Sequence, residues 1–158
     1  MLARGAFETV AQGLLSDGIA VRFRAGGSSM KPTIADGECL VVAPADAKSI
    51  DVADVVLCRT PRGLAAHRVL RVETRADGAR RFTTCGDAAL ETDRPVDAAD
   101  VQGRVVSVER DGGPIDLAVW GGVLGRLTVL AALELARAVR RLRARDWIAA
   151  AVSARNSA

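Results

Sequence analysis

Six short strand-like segments follow one another between residues 19 and 110: IAVRFRA, ECLVVAP, DVVLCRT, LAAHRVLRVET, ARRFTTC and VQGRVVSVER. Turn signals punctuate them at Asp36-Gly37, Pro61-Arg62-Gly63, Asp77-Gly78, Gly86-Asp87 and Asp111-Gly112-Gly113. Glycine beside Asp or Pro marks a chain reversal because it reaches backbone angles closed to other residues. In the first segment Val21 and Phe23 alternate with Arg22 and Arg24, the period of a half-buried strand. The run HRVLRVE breaks that alternation, so its two faces cannot be assigned from the pattern. Many short strands with glycine-bearing turns predict a mainly β body, a barrel or sandwich rather than a parallel α/β sheet.

Helical pattern appears only at the two ends. An amphipathic stretch from Ala6 to Leu15, closed by Asp17-Gly18, predicts a short N-terminal helix. After Pro114 the chain turns Ala- and Leu-rich, with Gly121, Gly122 and Gly125 loosening its start. A helix is predicted from Leu124 to Ile148, with a break signal near Asp146. The expected division is a β domain with its N-terminal helix over residues 1–115, and a basic helical tail over 116–158. Residues 137–145 of that tail hold five arginines and no acid. Such a helix packs on the β body or on a second copy with its arginines solvated, or lies peripherally on an anionic membrane surface. The first arrangement is the expected one. Arg126 and Glu134 interrupt the apolar run and argue against a membrane span.

Composition narrows the function classes. The chain has 158 residues, enough for one sizeable core, and Tyr is absent, so aliphatic side chains must build it. Three scattered cysteines, Cys39, Cys58 and Cys85, do not make a disulfide framework and read as buried thiols. With one histidine and no C-x-x-C pair, neither a structural zinc site nor another metal or cofactor site is expected. The arginine-rich tail lacks base-stacking aromatics and a DNA-reading motif, so nucleic acid is not an expected partner. The first residues lack the long apolar core of a signal peptide or a spanning helix. With unpaired cysteines, that points to the cytoplasm.

Chemistry enters at GGSSMKPTIADGEC, residues 26–39. Ser29 sits among Gly26, Gly27 and Ser28, small neighbours that let a substrate backbone come close, and Pro32 stiffens the exit. Backbone N–H groups of such a loop can stabilise an oxyanion. Alone, the segment reads rather as an ordinary Gly-Ser turn. A serine hydroxyl needs a base, and the only imidazole is His67, inside the strand-like run LAAHRVLRV. An acid must then orient the ring, and CGDAALETD supplies Asp87 and Asp93. Taken singly, each of these is a structural histidine or a turn aspartate.

Their order carries more than their identities. A small-residue serine loop, a strand pair, a histidine on a strand and a Gly-Asp turn with a second aspartate resemble the signal peptidase I family. The matching segments GSSMKPTIADGECLVV, DVVLCR, AAHRVLRV, TTCGDAALETD and VQGRVVSV lie between residues 26 and 108. The resemblance implies a small, partly open β-barrel of the signal peptidase and LexA-like type. Many relatives use a lysine where this chain has His67; its only lysines, Lys31 and Lys48, lie elsewhere. The resemblance therefore selects the Ser-His-Asp branch of the endoplasmic-reticulum, archaeal and spore-former enzymes. It implies Ser29 as nucleophile, His67 as general base and Asp93 as orienting acid, with Asp87 second choice or a support of the turn. Gly27, Ser28 and Met30 would form the oxyanion and substrate loop. Gly27 stands where many relatives carry a hydroxyl residue, so backbone N–H groups, or Ser28, take that role. The implied activity is endopeptidase cleavage of a leader or precursor protein after small residues, through an acyl-enzyme. The rival expectation is a non-catalytic peptide-binding or regulatory module on the same fold.

Overall fold

The computed structural model describes residues 4–111, 113–117 and 127–141. Helix α1 spans Arg4–Ser16, and eight strands follow: β1 Val21–Arg24, β2 Cys39–Ala43, β3 Val55–Thr60, β4 Gly63–Thr74, β5 Arg80–Cys85, β6 Val96–Asp97, β7 Val101–Arg110 and β8 Gly113–Asp116. A second helix, α2, covers 127–141. The expected onset of the tail helix near Leu124 and its break near Asp146 lie outside the described residues.

The strands form one antiparallel sheet in the order β1-β2-β7-β3-β4-β5-β6, with β8 added to β7, curled into a half-barrel. The mainly β expectation thus holds, as does a helix at each end. Two strands went unseen in the sequence. β6 has two residues and β8 four, too few to show a period. The curl has local causes. Pairing skips Val106 of β7 opposite Val41/Val42, Gln102 of β7 opposite Leu57/Cys58, and Leu70 of β4 opposite Thr83/Thr84, and each bulge bends its strand. Gly103 lets β7 cross the end of β2: a Cβ there would stand 2.6 Å from the Ala43 carbonyl oxygen.

β3 shows why the sheet closes. Val55, Val56, Leu57 and Cys58 are all buried, so both faces of this strand are covered. Val55 and Leu57 join a core with Leu15, Val21, Met30, Ile34, Leu40, Val42, Val105 and Val108. Val56 and Cys58 join a second core with Ile50, Val69 and Phe82. α1 enters the first core through Leu15 and ends in a Schellman motif: Ile19 N–H donates to Leu14 O at 2.9 Å, and Gly18 adopts φ +81. Cys39, Cys58 and Cys85 are free and buried. Burial pushes the Cys58 thiol up to about 12, helped by the nearby Asp93 and Asp100 charges.

α2 docks differently from the expected packing. Arg137 is not solvated but buried, and with Arg140 and Arg141 it donates to carbonyls of the 86–90 turn. α2 is thus fastened to the turn's carbonyls through these cations, and it also buries Leu133. No helix among the described residues is long and apolar enough to cross a membrane.

Candidate active site

The loop between β1 and β2 is an arch closed at its base. Ala25 N–H donates to Glu38 O at 2.8 Å, and Gly37 N–H returns a bond to Ala25 O at 2.9 Å. Above that base, Gly27 takes φ +95 and gives its N–H to Asp36 Oδ1 at 2.7 Å. A residue with a Cβ would be strained there, which accounts for glycine at that position. Further on, Met30 and Ile34 plunge into the first core. Ser29, directly before the anchored Met30, is left exposed on the rim.

His67 comes from β4, where it pairs across the sheet with Val56 of β3. Its Nε2 lies 3.2 Å from Ser29 Oγ. Its Nδ1 lies 2.6 Å from Asp93 Oδ2, which also accepts from Thr84 Oγ1 at 2.9 Å. Asp93 is fixed by its backbone too, its N–H donating to Thr84 O at 2.8 Å. Bonding of Nδ1–H to a carboxylate sets the ring tautomer and leaves the Nε2 lone pair toward the hydroxyl. Burial pushes the Asp93 carboxyl up, but the hydrogen bond and charge of His67 and the Thr84 hydroxyl outweigh it, holding the group below its ordinary range.

Asp87 goes elsewhere. Its carboxylate is fully buried and forked by Arg68, Nε to Oδ1 at 2.8 Å and Nη2 to Oδ2 at 2.7 Å. Thr33 Oγ1 also donates to Asp87. Arg68 Nη1 reaches Ala53 O at 2.8 Å, and Nη2 lies 3.2 Å from Thr33 Oγ1. This buried group ties the serine loop, the histidine strand and the Gly-Asp turn together behind the site. Its neighbour Gly86 lies against Ser29, where a Cβ would come within 2.5 Å of the serine carbonyl oxygen. Ala88 N–H donates to that same oxygen at 2.8 Å.

The two aspartates therefore divide the roles: Asp93 touches the ring, and Asp87 braces the scaffold. Sequence reasoning missed Arg68, Thr33, Thr84 and Gly86. A cation in the middle of the apolar run AAHRVLRV was the visible signal for Arg68. Gly86 showed only as part of a turn signal, and Thr33 and Thr84 carried none.

Ser29 and His67 open on a groove of about 350 Å³. Its apolar lining includes Met30, Ile34, Leu40 and Leu57; Phe23 to Gly27 flank one side and Leu64 to His67 the other. α1 contributes Phe7, packed edge-on against Phe23 with centroids 5.1 Å apart, and Glu8. Met30 serves this site as groove lining, and Gly27 through its backbone; Gly27 N–H is already committed to Asp36. Ser28 is exposed and is not part of the lining. No described residue accepts from the Ser29 N–H. No cluster of His, Cys, Asp and Glu among the described residues could hold a metal ion.

Hydroxyl, imidazole and carboxylate in line beside a groove belong to the nucleophile–base–acid class of arrangement, which can take a proton from the serine and return it to a leaving group. Comparisons of the chain with family models, with curated proteins and with solved structures give no match.

Proposed function

We propose that this chain is a serine peptidase of the signal peptidase type, cleaving a precursor peptide after a small residue. The observation that carries the reading is the continuous line from Asp93 through His67 to Ser29, with contacts of 2.6 and 3.2 Å. His67 Nε2 takes the hydroxyl proton as Ser29 Oγ attacks the peptide carbonyl carbon. The carbonyl oxygen becomes an oxyanion, held by the Ser29 N–H. Collapse breaks the C–N bond, His67 gives its proton to the leaving amine, and an acyl-Ser29 ester remains. Water, deprotonated by His67, hydrolyses the ester. Asp93 keeps the ring oriented and stabilises its cation.

The groove supports an extended peptide as substrate. Among the described residues, β1 pairs with β2 alone and β4 ahead of Arg68 pairs with β3 alone, so both present a strand edge without a strand partner across the groove. A peptide laid between them gains main-chain hydrogen bonds. Ala65 and Ala66 beside His67 and the aliphatic floor suit a small apolar side chain next to the scissile bond.

The test is cleavage of an internally quenched peptide library with alanine before the labile bond. Wild type is expected to cleave, and Ser29→Ala and His67→Ala each to lose activity by at least about 10³-fold. Full activity in either variant removes the assignment. Peptide binding by wild type without any cleavage would leave a peptide-binding module instead.

A further inference from the structure

We propose that Arg137 of α2 is a positioning residue for Ser29, acting through the turn that backs the nucleophile; this rests on the peptidase reading above. Arg137 is 2% exposed, a burial that arginine rarely reaches unless paired. Burying a guanidinium is costly unless its donors are met. Each of its three nitrogens has an acceptor: Nη1 donates to Glu134 Oε1 at 2.7 Å, Nε to Ala89 O at 3.3 Å, and Nη2 to Gly86 O at 3.4 Å. The fork therefore straddles the turn that Ala89 N–H closes onto Gly86 O at 2.9 Å. Arg140 adds a bond to Asp87 O at 2.9 Å, and Arg141 one to Leu90 O at 2.8 Å. Carbonyls 86, 87, 89 and 90 all accept from a single helix.

The other side of this turn faces the serine. Ala88 N–H donates to Ser29 O, and Gly86 leaves no room for a Cβ against the same oxygen. The chain of contact is short: guanidinium, turn carbonyls, Ala88 amide, Ser29 carbonyl. Outward drift of the turn would release the Ser29 backbone and lengthen the hydroxyl–imidazole contact. A displacement of about 1 Å at reacting groups can cost on the order of 10²-fold in rate. Arginine suits the task because its rigid planar fork sets two separated nitrogens against two carbonyls in a fixed geometry, where an ammonium offers a single nitrogen on a flexible stem.

The experiment compares full-length wild type, Arg137→Ala and Arg137→Lys by two readouts: kcat and KM on the quenched peptide, and hydrogen exchange at the Ala88 amide with the β3 amides as internal control. In Arg137→Ala, kcat is expected to fall roughly 10- to 100-fold, with KM little changed and Ala88 exchange faster while β3 stays protected. Added guanidinium ion should restore part of kcat. Arg137→Lys keeps charge and stem and serves if the alanine variant does not fold; it should shift both readouts in the same direction. Wild-type kcat and wild-type Ala88 exchange in a folded variant would overturn the clamp. If wild type cleaves nothing, the peptidase reading fails by itself and Ala88 exchange decides the clamp: faster exchange supports it, unchanged exchange overturns it.

Discussion

Asp87 and Asp93 are separated by six positions and by their chemistry. Asn in place of Asp93 would present an amide to Nδ1, favour the wrong tautomer and lower kcat by about 10⁴-fold with the fold intact. Asn in place of Asp87 would strip a buried guanidinium of its counter-charge, which typically costs about 3–5 kcal/mol, read as a lower denaturation midpoint. The Asp93 carboxyl, held low in the folded chain, also links stability to pH. A depressed carboxylate stabilises the fold above its unfolded range and loses that contribution as acid protonates it in the fold. The melting-temperature gap between wild type and Asp93→Asn should therefore narrow as pH falls below about 4. Cys58, with its thiol raised to about 12 by burial, should resist alkylation in mildly alkaline buffer until the protein unfolds. Ser29, His67 and Asp93 could be proposed from the sequence only through the resemblance that their order in the chain carries; singly, each reads as a turn or structural residue. The partner of Asp87 could not, because Arg68 lies nineteen positions upstream and only the sheet brings the two together.

At the level of elements, the faces of β4 were unreadable in the sequence for a structural reason. Arg68 and Val69 are adjacent and both buried, the first on Asp87 and the second in the core of Ile50, Val56 and Phe82, and the extra residue Leu70 then shifts the pairing, so strict alternation fails. β1 and β3 were easier: the first has one buried face and the second has two, and each leaves its own pattern. The Gly-Asp turn was visible as punctuation, but not as a wall against the serine loop. Alanine at Gly86 tests that role. Its Cβ would come within 2.5 Å of Ser29 O, so the turn must retreat and the Ala88–Ser29 bond must stretch. Gly86→Ala should thus lower kcat, and circular-dichroism melts should show a lower midpoint with an unchanged β spectrum.

For the molecule as a whole, composition pointed to an aliphatic core, and two such clusters lie on either face of β3. Neither cluster draws a residue from α2. A chain ending at Leu117 should therefore still unfold cooperatively, while the 86–90 turn loses its hydrogen-exchange protection. Broad, uncooperative melting of that truncated chain would show that α2 belongs to the core. The docking of α2 was the least legible feature. Sequence shows arginines on a helix, but not that a turn distant in the chain will aim four carbonyls at them.

One imidazole serves the entire chain, and it is the ring between Ser29 and Asp93. Imidazole ring protons in a spectrum of the intact protein therefore come from the groove alone, without site-specific labelling. A reagent that carbethoxylates histidine can modify at most one ring per molecule, so the stoichiometry of inactivation would read directly as occupancy of that position.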